Sequence, residues 1–195
     1  MSAMSEMTTE TLFDFTTMDS VKDWYEISDT VRQVGQSKAT FVLQKTKLFQ
    51  RGVFFVLLNP QPNGACFAGM NSKNLPLTNW SNFQKLKMKI RSQAANFAQW
   101  KIVLRTSASV DRFTTYQQEF PVENNSAEFQ IVTLDLSGFH QFVDGNVRPD
   151  EVILDKTDIQ SFGFQAFGGV YEDFKQSGPA TLEIDYVKLV QSDQK

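Results

Sequence analysis

Residues 86–91 read LKMKIR, an unbroken alternation of apolar and cationic side chains. A strand needs that period of two when one face lies in a core and the other in water, whereas a helix repeats every ~3.6 residues and would smear the pattern. QWKIVLRT does the same, with Trp100, Ile102 and Leu104 on one face and Lys101, Val103 and Arg105 on the other. KATFVLQ, GVFFVLLN, TTYQQEF, EFQIVTLDL, IQSFGFQAF and TLEIDYVKLV continue as β-branched and aromatic runs. Only TMDSVKDW suggests a helical turn, with Asp19 as its N-cap. No internal repeat, low-complexity linker or heptad interrupts the series. About ten short strands in one chain favour an all-β fold, a β-sandwich or jelly roll, over an open sheet. A single domain is expected over residues 11–192, after a loose polar tail over residues 1–10.

Composition narrows the class. Eighteen Phe among 195 residues imply a core of large flat side chains, which suits the gap between two packed sheets. A net charge of −3 gives no reason to expect nucleic acid, because phosphate binding needs clustered positive charge. No apolar run approaches the length of a membrane span, so no membrane partner is expected. One cysteine cannot close an internal disulfide. The first basic residue is Lys22, preceded by Glu6, Glu10, Asp14 and Asp19. This N-terminus has neither the basic start of a secretory signal nor the Arg-rich character of a mitochondrial presequence, and the expected compartment is the cytoplasm.

The segment NPQPNGACFAGM, residues 59–70, asks whether it holds a site. Pro60 and Pro62 cannot donate to a ladder, so the strand from Val53 stops near Asn59. Asn63-Gly64 tolerates positive φ and is a strong hairpin signal, after which ACFAGM restarts a strand. Cys66 has no His, Lys or Arg close in sequence to lower its pKa, and free cysteines are commonly buried. The segment reads as a structural corner, with Cys66 in the packing.

DWYEISDTVRQVGQSKATF resembles the opening Trp, Asp, Gly, Ser pattern of the complex I intermediate-associated protein 30 family. VFFVLLNPQPNGACFAGM is similar to that family's next strand, Asn-Gly turn and Gly/Phe strand. LKMKIRSQAANFAQWKIVLRTS resembles its central strand pair, and SFGFQAFGGVYEDFKQSGPATLEIDYVKL its closing segment. The likeness runs from Phe13 to Leu189. It implies a galactose-binding-like jelly roll, related in shape to carbohydrate-binding modules, and a complex I assembly role for the best-known members. Fold transfers from such a likeness better than function does.

Few constellations carry chemistry. His140 is the only histidine, with Ser137 and Asp144 nearby in sequence. A triad needs convergence in space and an oxyanion site, which local adjacency does not supply, so no catalytic residues are assigned and no enzyme is expected. Asp144, Asp150, Glu151, Asp155 and Asp158 lack the spacing of a calcium loop. The family's shape is the sole ground for a structural calcium; no other cofactor is expected, and no Cys/His pairing supports zinc.

The basic stripe is the most specific feature. Lys87, Lys89 and Arg91 share one strand face, and Lys101 and Arg105 share a face of the next. If the two strands are neighbours, these side chains make one patch. It is then either the solvated side of a half-buried sheet or a concave site. For a site, Lys89, Arg91, Lys101 and Arg105 are the cationic members, and Gln117, Glu119 and Gln165 complete it. Trp80, Tyr116 and Tyr171 are the candidate rim platforms. The expected function is a non-catalytic binding or assembly module whose partner is a protein or a polyhydroxyl or anionic small ligand. The alternatives are a carbohydrate-binding, lectin-like protein and a ligand- or chromophore-bearing protein or enzyme.

Overall fold

A computed structural model describes residues 8–31, 33–109, 114–148, 152–170 and 172–191. In chain order its strands are β1 (Thr9–Asp14), β2 (Trp24–Ser28), β3 (Lys38–Lys45), β4 (Gln50–Leu58), β5 (Phe67–Ser72), β6 (Lys85–Ala94) and β7 (Gln99–Thr106). They continue with β8 (Thr115–Pro121), β9 (Gln130–Asp135), β10 (His140–Val143), β11 (Asn146–Val147), β12 (Ile159–Phe167) and β13 (Gly178–Val190). A six-stranded sheet runs β3-β4-β13-β6-β9, and a seven-stranded sheet runs β11-β10-β8-β7-β12-β5-β2. These strands pair with one another antiparallel throughout. β13 pairs with β4 along its first half and with β1 along its second, which makes β1 the sixth member. The architecture is a jelly-roll β-sandwich, with more strands than the pattern alone suggested.

Alternation decides what enters the core. Met88, Ile90, Trp100, Ile102, Leu104, Phe162, Phe164, Leu182 and Ile184 are all fully buried between the sheets. Aromatic side chains fill the gap as expected from the Phe content. Trp24 lies 4.6 Å from Phe41 and stacks on Phe164 at 5.9 Å, while Phe54 meets Trp100 edge-on at 5.8 Å. Phe67, by contrast, is only half-buried and pairs with Phe167 on the outside of the seven-stranded sheet.

Three local expectations change. Thr9 and Glu10 belong to β1 and pair with Val190 and Leu189, so the first strand of the sandwich begins before residue 11. TMDSVKDW forms no helix; Asp14, not Asp19, caps the turn, accepting from the Thr16 amide at 3.0 Å while its carbonyl accepts from Met18. The two short 3₁₀ turns lie instead at Asp29–Val31 and Leu136–Gly138. The Asn63-Gly64 turn, with Gly64 at φ 86°, makes no hairpin, because β4 and β5 belong to different sheets. It is the corner at which the chain changes sheets.

β6 and β7 are also separated this way. The connection at residues 95–98 crosses between the sheets, and Phe97 is driven into the core, 5.3 Å from Trp100. Gln176, itself buried, fastens the crossing. Its side-chain oxygen accepts from the amides of Ala98 and Gln99 at 2.6 and 2.7 Å, and its nitrogen donates to the Gln99 and Phe167 carbonyls.

Candidate functional site

The crossing divides the expected basic patch. Lys89 and Arg91 stand on β6 in the six-stranded sheet, whereas Lys101 and Arg105 stand on β7 in the seven-stranded sheet. They do not make one surface. Gln117 and Glu119 on β8 and Gln165 on β12 join Lys101 and Arg105 and leave Lys89 and Arg91 behind.

On the six-stranded side the charges are consumed in ion pairs. The Glu183 carboxylate accepts from Arg91 through Nε at 3.1 Å and Nη2 at 2.8 Å, and from Arg51 Nη1 at 2.5 Å. Lys89 Nζ lies 2.8 Å from Asp185. Phe129 sits beneath all three cations, with its ring centre 4.7 Å from Arg51, 4.9 Å from Arg91 and 5.3 Å from Lys89. Burial, the largest single influence on Glu183, pushes its carboxyl up. The hydrogen bonds and charges of Arg91 and Arg51 more than reverse this and hold it below its ordinary value. The arrangement is a closed electrostatic clamp.

The outer face of the seven-stranded sheet is different. Register places Lys101 opposite Glu119 on one side and Gln165 on the other. The next rung runs Tyr25, Asn71, Gly163, Val103, Gln117 and His140 across six strands. These side chains point away from the core, and the two sheets are the only layers among the described residues. Even so, Lys101 is only 8% exposed, Asn71 4% and Ser161 3%. These outward side chains are therefore covered by their neighbours on the same face, Lys101 by Glu119 and the Phe142 and Phe167 rings. Small residues set its floor: a Cβ on Gly163 would collide with the Asn71 amide, so glycine is what lets Asn71 lie flat there.

Lys101 is the centre of this face. Its ammonium lies 3.2 Å from Glu119, 3.9 Å from the centre of the Phe167 ring and 5.3 Å from that of Phe142. A charge held this way is desolvated and fixed in direction before any ligand arrives. Arg105 stands opposite Ser161, further along the same strand. The arrangement offers carboxylate and amide groups that donate and accept in fixed directions, flanked by aromatic rings.

Other sequence candidates fall elsewhere. Trp80 is fully buried, its indole N–H donating to the Leu77 carbonyl at 2.8 Å, and Tyr116 faces the core with its hydroxyl accepting from Gln141. Neither is a rim platform, and Tyr171 lies outside the described residues. The aromatic side chains on that outward face are instead Phe142, Phe167 and Tyr25. Their signal was present in the alternation of WYEIS, HQFV and FGFQAF, which sets them on the same face as the polar residues. His140 is exposed opposite Gln117, while Asp144 sits in the turn after β10 at φ 52°.

Asp155 is held below its usual range by the Thr157 hydroxyl and amide, which it caps. Asp150 and Glu151 lie outside the described residues, among which no three His, Cys, Asp or Glu side chains gather as a metal site would require. Cys66 is buried, and its thiol is pushed up to about 11, first by burial and then by the charge of Asp29, against a lowering hydrogen bond from Ser37. Asp29 itself is fully buried and accepts from the amides of Ser37 at 2.9 Å and Phe67 at 3.2 Å. The Asp, Gly and Ser of the opening pattern thus tie the start of β3 to the start of β5. A side chain at Gly35 would run into the Asp29 carbonyl.

Residues 13–184 match the family model of complex I intermediate-associated protein 30 (CIA30). Among solved structures, a family 11 carbohydrate-binding module from Clostridium thermocellum, in complex with a β-1,3-1,4-mixed-linked tetrasaccharide, superposes with a TM-score of 0.65 at 18% identity. The match covers 96% of this chain and 98% of that one. The family 11 module of the Clostridium thermocellum cellulosomal cellulase Lic26A-Cel5E gives the same TM-score of 0.65 at 16% identity, over 98% and 99% of the two chains. An exo-β-agarase matches with a TM-score of 0.60 at 11% identity, over 95% of this chain and 25% of the agarase. No match is found among curated proteins. These likenesses establish the sandwich fold.

Proposed function

This chain belongs to the complex I intermediate-associated protein 30 family, and on that footing we propose that it is a non-catalytic binding module. Its ligand is a polyhydroxyl chain laid across the outer face of the seven-stranded sheet. One observation carries the reading: Lys101 is buried between Glu119 and the Phe142 and Phe167 rings, on a face that no further layer covers among the described residues. A solvated sheet face has no need to desolvate a lysine and point it. A sugar-like ligand does, because its hydroxyls are bound by planar amides, carboxylates and fixed cations while its apolar ring faces rest on aromatic side chains. Gln117, Gln165 and Asn71 supply the amides. The oligosaccharide bound to the family 11 module of the same fold supports a ligand of this class.

A second reading, a protein partner held in an assembly role, is favoured by the family's association with complex I intermediates. Calorimetry with a panel of linear neutral and acidic oligosaccharides, with and without calcium, separates the two. The polyhydroxyl reading predicts saturable binding to at least one glycan. It also predicts at least a tenfold loss in Gln117→Ala/Gln165→Ala at an unchanged melting temperature. A panel with no binder, beside capture of a protein that depends on the same two residues, would replace the first reading by the second.

A further inference from the structure

The connection from β12 to β13, residues 168–177, lies beside the seven-stranded face and is built around one lysine. At its base the Gln176 amide donates to the Gly168 carbonyl at 3.1 Å, and the Gly168 amide donates to the Cys66 carbonyl at 2.8 Å. Inside the loop Lys175 folds back on the chain. Its ammonium donates to the carbonyls of Gly169 and Glu172, each at 2.7 Å, and of Val170 at 3.3 Å. An ammonium has three N–H donors, and here each has a backbone oxygen.

Carbonyls turned on one point repel one another unless a cation lies between them, which is how backbone oxygens come to hold metal ions. This loop supplies the cation from its own sequence. Hydrogen bonds from a charged donor are stronger than the neutral ones that usually close a turn. The Glu172 amide adds a bond to the Gly169 carbonyl at 3.0 Å, and Gly169 takes φ 66°, which glycine reaches without strain.

Phe174 is the side chain that this arrangement fixes. Its ring lies over Gly169, where an added Cβ would meet it at 3.1 Å, and it meets the Phe167 ring edge-on at 5.8 Å. Phe167 is buried although it points outward, and its ring centre is 3.9 Å from the Lys101 ammonium. Contacts thus run from the Lys175 ammonium through the loop backbone to Phe174, Phe167 and Lys101. We propose that Lys175 is a positioning residue for the binding face: its ammonium sets the loop, and through Phe174 it holds the Phe167 ring against Lys101. The inference rests on the reading of that face as the binding site. It gives an exposed loop lysine control over affinity without contact between Lys175 and the ligand.

Lys175→Met keeps the side-chain length and removes the charge. In the ligand-free protein the Phe167 ring shifts the Lys101 ε-methylene protons upfield, and NMR should find them at least halfway back to the position of an exposed lysine in Lys175→Met. The Arg91 Nε–H signal on the other sheet should stay fixed. Lys175→Cys alkylated with 2-bromoethylamine regains an ammonium at nearly the same reach and should return the Lys101 signals to their wild-type position. Alkylation with iodoacetamide, which adds no charge, should not; Cys66 is buried and escapes both reagents in the native protein. Cellotetraose and tetragalacturonate are the neutral and acidic ligand probes in calorimetry. For whichever binds the wild type, Lys175→Met should weaken binding about fivefold, the worth of one cation–π contact, and the bromoethylamine adduct should restore it. Lys101 signals that stay in place in Lys175→Met overturn the inference, as does a change that the uncharged adduct repairs equally well. If neither sugar binds the wild type while the Lys101 signals move and return as expected, the ligand reading fails and the coupling of Lys175 to Lys101 stands.

Discussion

Replacing Glu183 by Gln tests the electrostatic clamp on the six-stranded sheet. The Glu183 side chain is 12% exposed, and its Arg51 and Arg91 partners 13% and 23%. Removing one charge from a buried pair costs ~3–5 kcal/mol, chiefly because the remaining charge is left buried and uncompensated. Here two guanidinium groups would be left facing each other. Arg91 retains the Ala127 carbonyl at 2.8 Å, but Arg51 already has a buried Nε with no partner and would lose its strongest contact. The amide oxygen of Gln preserves a weaker acceptor, so the expected loss is about 3 kcal/mol, at the lower end of that range. Urea unfolding at pH 7 measures it.

The triple replacement Arg51→Met/Glu183→Leu/Arg91→Met removes all three charges together and should recover most of the loss. The sign of the pH effect follows from the carboxyl's position below its ordinary value of 4.5. Its contribution is complete above that value and disappears as the pH falls through the folded-state pKa, so the gap between wild type and Glu183→Gln should narrow on acidification. An unfolding free energy for Glu183→Gln within ~0.5 kcal/mol of wild type, the range of ordinary surface changes, would refute the clamp.

Cys66 should react slowly with a thiol reagent in the native protein and rapidly in urea; fast native labelling would contradict its burial. Since its folded-state value of about 11 exceeds the ordinary 9.0, its neutral form stabilises the fold below pH 9. That stabilisation, ~2–3 kcal/mol, is lost as the pH rises toward 11, and the extra alkaline loss should be absent in Cys66→Ala. Asp29→Ala leaves the amides of Ser37 and Phe67 without their acceptor and should cost ~3 kcal/mol in urea unfolding. A loss below ~1 kcal/mol would show that water replaces the carboxylate.

Much of this was readable in the sequence, for a physical reason. Period-two alternation states which residues share a face, and it placed Lys101, Gln117, Glu119 and Gln165 together because each alternates with residues of one core. What alternation does not encode is whether two consecutive strands pair or change sheets. Lys89 and Arg91 went to the other side because Phe97 enters the core and Gln176 pins the crossing, a contact between residues nearly eighty positions apart. The same limit turned Asn63-Gly64 from a hairpin into a corner. Asp29, Gly35 and Ser37 could be quoted as a pattern, but their role rests on amides from two other segments, which no local reading supplies.

The most direct test of the binding face is the side-chain amide signals of Gln117 and Gln165, followed by NMR while a binding oligosaccharide is added. The account predicts that both shift and saturate together with the Asn71 amide, while the Arg91 Nε–H signal in the Glu183 clamp stays fixed. Unmoved Gln117 and Gln165 signals, with shifts gathered around Arg51, Arg91 and Phe129, would put the ligand on the six-stranded sheet and contradict it.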